Sequence, residues 1–336
     1  MPSRFIIMGN LKAPRKRKKI NGSACFLCGG EMGSGGGFEG LEMDGLHYAI
    51  KFCRSCGLGV TSPFLDEKKL KAIYSSTYRG EDSTRFFSPL ERLIKLVRLQ
   101  RAKRVEKYAG AAGSVLDVGC GRGDFPLLMA SRGWDATGIE LDERIEKREG
   151  GTKGLHLRFG RLEDVRFPEA GFDAVTMWHV FEHMRDPAWV MRECRRILKP
   201  GGLLMLAVPN TRSLQARLTG RRWFHLDPPY HFYHYTMENI NRLMEEAGFE
   251  VLSVKHFSLE YNPYGFLQSI FNLLGFRMNL FYDFLRSKSA RDIKTYFGVG
   301  LMVLLMPVVL PLSMALSFLE SAIGRGGTIE VYARKK

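Results

Sequence analysis

Val115-Leu-Asp-Val-Gly-Cys-Gly-Arg-Gly123 is the stretch whose reading decides the fold. It opens short and apolar around a single acid, as a buried strand does, and runs straight into a glycine-rich turn. Phe125–Arg132 follows with helical spacing. Glycines 119, 121 and 123 let a backbone approach a ligand closely, as in dinucleotide-binding folds. Glu140 ends the next expected strand, Ala136–Glu140, where an acid can hold two ribose hydroxyls. A dehydrogenase-type nucleotide fold is the alternative here, but its G-x-G-x-x-G spacing is missing.

Working outward, the rhythm repeats. Leu155–Phe159 and Ala174–Trp178 read as strands, followed by a helix through Trp189–Leu198. The turn Lys199-Pro-Gly-Gly202 leads into the strand Leu203–Val208. Glu238–Ala247 is a helix closed by Gly248, Phe249–Phe257 a strand, and Thr328–Ala333 a last strand. This alternation predicts an α/β fold with a mainly parallel sheet and helices on both faces. Upstream, Asp66–Tyr78 reads as a short helix and Pro89–Tyr108 as a longer one. In the longer helix Leu90, Leu93, Ile94, Val97, Arg98 and Arg101 share a stripe.

Several of these motifs, in this order, resemble class I S-adenosylmethionine-dependent methyltransferases. Leu116-Asp-Val-Gly-Cys-Gly-Arg-Gly123 is similar to the first signature of that family and Gly138-Ile-Glu-Leu-Asp142 to the second. Gly160-Arg-Leu-Glu-Asp164 stands where the family usually has Gly-Asp-Ala-Glu-Asp. Phe172-Asp-Ala-Val175, Phe181-Glu-His183 and Arg196-Ile-Leu-Lys-Pro-Gly-Gly202 match later motifs. The resemblance covers roughly residues 105–260 and implies a Rossmann-like, seven-stranded methyltransferase sheet. It also implies S-adenosyl-L-methionine as cofactor. The turn Gly119, Cys120, Gly121 and Gly123 would contact it, with Asp117 and Gly119 at its methionine end. Glu140 would hold the ribose, and Leu141, Leu162 and Glu163 would frame the adenine. Arg161 replaces the usual acid, so the contact normally made there is not carried over.

A methyl sulfonium is already activated, so such an enzyme must mainly align an acceptor and exclude water. An oxygen or nitrogen acceptor also has to lose a proton. His179 and His183 follow the fourth strand at the carboxyl edge of the sheet, where open α/β folds bind ligands. His179 falls beside Glu182 and His183 if the segment turns helically. The expected roles are a base with an orienting carboxylate, a divalent-metal site, or a simple brace for the helix. Quinone-pathway O-methyltransferases resemble this stretch and place metal-ligating acids and a histidine in it, with Glu where this chain has His179. Trp223-Phe-His-Leu-Asp-Pro-Pro-Tyr-His231, with His234, forms an aromatic loop after the fifth strand. His231 is a second candidate base, against a loop whose histidines are satisfied by backbone. Tyr74 and Tyr78 resemble tyrosines that close over the cofactor in relatives.

Cys25-x2-Cys28 and Cys53-x2-Cys56 read as a four-thiolate zinc ribbon, since zinc takes tetrahedral sulfur and each knuckle offers two ligands. A closed four-cysteine site makes this zinc structural. Disulfides or free thiols are the alternatives, and the N-terminus carries no sustained apolar stretch of the secretory type, which suggests a reducing cytoplasmic setting. Some sugar C-methyltransferases also look like this, with a cysteine-rich module before the core. Cys120 and Cys194 read as packing residues.

The 336 residues are 45% apolar and 25% charged, which excludes a disordered or fibrous chain. Of the net charge of +15, residues 105–211 carry almost none. The excess is densest at Arg15-Lys16-Arg17-Lys18-Lys19, a solvated tail or a contact for phosphates or anionic lipid. Gly298–Leu319 lacks any charge and is long enough to cross a bilayer, but contains Pro307 and Pro311. Because the last two strands pair in this fold, both ends of the insert must return to one sheet. That predicts a re-entrant hairpin broken near Pro307–Pro311, or a buried helix pair. Tyr264–Leu285 is expected to lie in the interface, aided by Arg286, Lys288, Arg291 and Lys294.

The chain thus divides into a basic tail (1–22), a zinc-ribbon-like module (23–62), a helical linker (63–113), the methyltransferase core (114–258), a helical insert (259–327) and a last core strand (328–336). The favoured reading is monotopic or peripheral attachment to the cytoplasmic face of a membrane. The expected acceptor is then a lipid or lipid-linked small molecule, methylated at oxygen in preference to other atoms: a lipid-linked sugar, an isoprenoid quinone or a phospholipid-like molecule. Competing readings are an RNA methyltransferase, which leaves the apolar insert without a role, and a non-catalytic cofactor-binding scaffold. An oligomer interface is the soluble alternative for the insert.

Overall fold

The computed structural model describes residues 24–34, 37–43, 45–65, 69, 88–148, 150–286 and 292–336. The basic run, the helix expected at Asp66–Tyr78 with Tyr74 and Tyr78, and Lys288 and Arg291 lie outside the described residues. Four short strands come first: β1 (Met32–Gly33), β2 (Leu41–Met43), β3 (Leu46–Cys53) and β4 (Gly59–Ser62). Tyr48 and Ile50 on β3 are buried at the period-two spacing of a strand, and Cys53 is buried at its end.

After α1 (Ser88–Ala109) come β5 (Ser114–Val118), α2 (Asp124–Ser131), β6 (Asp135–Glu140), β7 (Leu155–Phe159), α3 (Leu162–Val165) and β8 (Phe172–Trp178). Then follow α4 (Pro187–Ile197), β9 (Leu198–Pro209), α5 (Leu214–Thr219), β10 (Tyr233–His234), α6 (Met237–Glu246) and β11 (Phe249–Lys255). The chain ends with α7 (Asn262–Leu273), α8 (Leu280–Arg286), α9 (Ile293–Ala322) and β12 (Thr328–Lys335). The main sheet has seven strands in the order β11-β12-β9-β8-β5-β6-β7. Pairing is parallel except around β12, which runs antiparallel to β9 and β11. This is the predicted Rossmann-like sheet. Leu203–Val208 is buried throughout, as a central strand covered by helices on both faces must be. Asp186 caps α4 by accepting from the Trp189 amide, with Pro187 at the first helical position. Thr236 and Asn239 form a reciprocal capping box on α6.

The insert differs from expectation in two ways. Helix α9 continues through Pro307 and Pro311, so there is no hairpin break. Each proline removes one amide donor, but the two are four residues apart on the same exposed side, where that loss falls away from the protein. The segment expected to lie in an interface is instead an inner layer, because α7 is buried between the core and α9.

Helix α9 is built inside out. Its inward stripe ends in Ser313, Ser317 and Glu320, while Phe297, Leu304, Val308 and Phe318 face outward. Glu320 Oε1 accepts from Gln215 Nε2 at 2.8 Å, Asn262 Nδ2 at 3.0 Å and the Gly327 amide at 2.9 Å. Ser313 and Ser317 donate back to Val309 and Ser313 carbonyls, both at 2.7 Å. A helix at a water-facing surface has the opposite polarity. Mean hydropathy reaches 2.4 in its most apolar window, of which 22% is buried.

Candidate active site

At the carboxyl edge of the sheet, neighbouring strands β5 and β8 lead away in opposite directions, which opens a crevice. The turn after β5 needs left-handed backbone at Gly119 (φ 70°), Gly121 (φ 59°) and Gly123 (φ 77°), conformations that cost a side-chain-bearing residue. Glu140 ends β6 beneath this turn. Its oxygens accept from the Gly121 amide at 2.8 Å and the Leu141 amide at 2.7 Å, which binds the turn to the strand. Asp117 accepts from Thr176 Oγ1 at 2.6 Å, and burial raises its pKa to about 7. Cys120 packs against Gly138, where any side chain would collide with its sulfur. Burial, with Glu140 and Asp117 nearby, raises its thiol well above the ordinary value, so it packs as a neutral thiol. Gly119, Glu140, Leu141, Leu162 and Glu163 line one cavity with an empty volume of about 600 Å³. Its far wall is His183, Arg185, Trp189 and Phe232.

A second cavity, of about 570 Å³, adjoins the first. His179, His183, His225 and His231 line it, with Tyr261, Phe224, Tyr264 and Tyr282 as its aromatic walls. Tyr264 belongs to α7 and Tyr282 to α8, so the insert builds part of this chamber. Among the described residues, His183 is the histidine that lines both cavities.

His179 leaves β8 with φ 54°, a strained conformation for a non-glycine residue. Its Nδ1 lies 3.4 Å from Glu182 Oε1, its Nε2 3.4 Å from Thr328 Oγ1, and its ring sits on Tyr261 at 3.8 Å. Burial, then His225 and Arg101, lowers its pKa well below 6.5. His231 is lowered likewise by burial and then by His183, so both rings are neutral near pH 7. His183 Nδ1 meets the Tyr230 carbonyl at 2.9 Å and His231 Nδ1 meets the His225 carbonyl at 2.9 Å. A carbonyl only accepts, so each Nδ1 carries a proton, and the neutral His231 ring keeps a lone pair on Nε2.

Glu182 lies between them with neither carboxyl oxygen hydrogen-bonded among the described residues. Burial raises its pKa to about 8. Glu182, His183 and His231 bring donor atoms within 4.8 Å of one another, a set that can hold a metal ion. His179, the position that resemblance ties to such a site, falls outside that group, and His231 joins it from the loop after β9. His234 instead turns away and meets Thr61 Oγ1 at 2.9 Å.

The aromatic walls Tyr261, Tyr264 and Tyr282, together with His225, were not singled out in the sequence as site residues. Nor was the buried pair Arg101–Glu260 at 2.7 Å, whose guanidinium lies 4.3 Å over Trp178. The grouping of Arg101 with the apolar stripe of α1 was the one available signal.

The four cysteines come together as well. Cys25 and Cys56 sulfurs lie 3.6 Å apart, those of Cys28 and Cys53 3.3 Å apart, and all four fall within 4.8 Å of one another. Tetrahedral Zn–S bonds of about 2.3 Å set sulfurs roughly 3.8 Å apart, so the cluster fits zinc.

Sheet order, glycine turn and acidic strand end together define a class I S-adenosylmethionine-dependent methyltransferase fold. Residues 89–254 match the family model described as a methyltransferase domain. It is 33% identical over 153 residues to a Pseudomonas paraeruginosa protein named ubiquinone biosynthesis O-methyltransferase, covering 44% of this chain and 64% of that one. A Bordetella avium protein of the same name is 29% identical over 226 residues, covering 63% of this chain and 90% of its own length. A solved S-adenosylmethionine-dependent methyltransferase from Archaeoglobus fulgidus superposes with a TM-score of 0.45 at 20% identity, over 72% of this chain and 94% of that one.

Proposed function

We propose that the protein transfers a methyl group from S-adenosyl-L-methionine to a hydroxyl oxygen of a membrane lipid, at the cytoplasmic face of a bilayer. The observation that carries this reading is a chamber walled partly by the apolar insert and joined to the glycine-turn cavity at His183. Asp117 and Gly119 hold the methionine end of the cofactor, Glu140 the ribose, and Leu141, Leu162 and Glu163 the adenine. The sulfonium methyl carbon forms a bond to the acceptor oxygen as its bond to sulfur breaks. His183 Nε2 takes the hydroxyl proton, while His179 and His231 orient the acceptor.

An aromatic hydroxyl on an isoprenoid tail is the acceptor the chamber suits best. Its walls are aromatic rings, which favour a flat ring through edge and offset contacts. The described lining residues include no lysine or arginine to neutralise the diphosphate of a lipid-linked sugar. The relatives named for ubiquinone biosynthesis support the same class. The outward face of α9 supplies the membrane contact. Of the four basic residues expected to meet head groups, only the side chain of Lys294 lies among the described ones. The cysteine cluster holds a structural zinc ion.

A second reading of the base rests on the buried Glu182 carboxyl group, whose oxygens carry no hydrogen bond among the described residues. Glu182, His183 and His231 would hold a divalent cation, which when bound supplies Lewis acidity toward the acceptor hydroxyl. In either case these side chains fix the hydroxyl beside the methyl group.

Radioactive methyl transfer from labelled cofactor into membrane extract, sorted into lipid, glycan and RNA fractions, tests the proposal. Label in the lipid fraction is expected. Label confined to RNA or glycan would overturn the lipid assignment, and no transfer into any fraction would favour a binding scaffold.

A further inference from the structure

We propose that the four-cysteine module is the positioning clamp of the methyl-transfer site, acting through Thr61. This rests on the reading that His231 lines the acceptor chamber and Phe232 the donor cavity. The knuckle Cys53–Cys56 is closed by bonds from the Gly57 amide to the Cys53 carbonyl and from the Cys53 amide to the Leu58 carbonyl, both 2.9 Å. It leads directly into β4. That strand pairs with β10, Val60 opposite Tyr233 and Gly59 opposite His234, so the loop from the core completes the sheet of the cysteine module.

Buried Thr61 holds the two site residues at once. Its hydroxyl donates to the His231 carbonyl at 2.5 Å, and its amide donates to the Phe232 carbonyl at 3.0 Å. The same hydroxyl oxygen accepts from His234 Nε2 at 2.9 Å, since its proton is committed to His231. Phe232 is fixed from the other side by its amide bond to the Glu182 carbonyl, 2.9 Å. One residue of the module therefore sets the backbone that aims His231 into one cavity and Phe232 into the other.

The surrounding contacts make this a clamp. Phe26 packs edge-on against Tyr233, and the Phe64 ring lies tilted against Phe232, each pair at 4.9 Å. Arg185, in the donor-cavity wall, donates to the Leu65 carbonyl and lies 4.6 Å from the Phe232 ring. Asn239 on α6 donates to the Cys56 carbonyl at 2.8 Å. Gly59 permits the close approach, because a Cβ there would stand 2.8 Å from His234 Cβ. Zinc held by the four thiolates would keep β4 in the register that all of these contacts need.

The test uses the full-length zinc-loaded protein, with zinc content measured in every sample. Thr61→Val keeps all four thiolates and the Thr61 amide but removes the hydroxyl. Hydrogen exchange of the amides at 231–235 is expected to rise about tenfold in this variant, with zinc retained, and to return in Thr61→Ser. Stripping zinc with a chelator is expected to raise exchange at 231–235 further and weaken cofactor binding several-fold, because Phe232 and Arg185 lose their support, while exchange across 114–118 stays unchanged. Zinc loss with unchanged exchange at 231–235 and unchanged cofactor affinity would overturn the proposal and make the module an appendage. Should chelation unfold the whole chain, Thr61→Val decides alone, and parental exchange there would refute the clamp. Both readouts are independent of the acceptor, so they stand even if no methyl transfer to lipid is found.

Discussion

Replacing Leu304 and Val308 on α9 together by glutamate should release the protein from membranes without unfolding it. The two side chains are 73% and 70% exposed and stand four residues apart on the outward face. Burying a full Leu or Val side chain contributes about 1.5–3 kcal/mol, so at these exposures each is worth about 1–2 kcal/mol to bilayer binding. The pair then contributes roughly 2–4 kcal/mol, and at 1.4 kcal/mol per decade its loss lowers partitioning about thirty- to several-hundred-fold. The carboxylates deepen the loss. Co-sedimentation with vesicles containing anionic lipid measures partitioning, and circular dichroism on heating should give a midpoint close to that of the parent. Unchanged vesicle binding would refute the membrane role of α9. So would a parental protein that is a stable oligomer dissociated by the same substitutions, with vesicle binding unaffected, because the apolar face would then be an assembly surface.

Other consequences concern the two cavities. Glu140→Ala should weaken S-adenosylmethionine binding at least about a hundredfold by calorimetry, since it removes the ribose acceptor and leaves the Gly121 and Leu141 amides unpaired. Parental affinity would show that the ribose lies elsewhere. His183→Ala should slow methyl transfer at least about a hundredfold while cofactor affinity stays within about threefold, and an equal rate would remove His183 as the base. Glu182 has a folded-state pKa of about 8 against an ordinary 4.5, so the native state holds more protons between those values. The Glu182 contribution to stability should therefore fall as pH rises from 4.5 toward 8, and Glu182→Gln should remove that contribution, so that its stability relative to the parent rises between pH 5 and pH 8 by more than about 1 kcal/mol. Urea unfolding at pH 5 and pH 8 with chelator present measures this. If added divalent metal instead stabilises the parent and not the variant at pH 8, the metal reading of the cluster gains its support.

The donor side of the molecule was legible because its signals are local. A strand, a left-handed glycine turn and a helix are neighbours along the chain, and Glu140 reaches Gly121 from only the next strand. The cysteine knuckles are legible for the same reason, since each pair of ligands lies within one short turn. The continuity of α9 was not, because a proline's local cost does not say whether its missing donor faces protein or open surface. The proposed acceptor chamber is a product of tertiary structure. His183 comes from the turn after β8, His231 from the loop after β9, and Tyr264 and Tyr282 from an insert expected to lie on a membrane. Neither spacing nor periodicity brings such distant segments together, and only packing across the sheet edge does. Thr61 carries no motif at all, and its place on the His231 and Phe232 carbonyls follows solely from the pairing of β4 with β10. Residue type and order along the chain thus determine the cofactor fold, because its contacts are short in sequence. The histidine-lined chamber proposed to take the acceptor depends on long-range burial and strand pairing, whose partners the order of residues does not name.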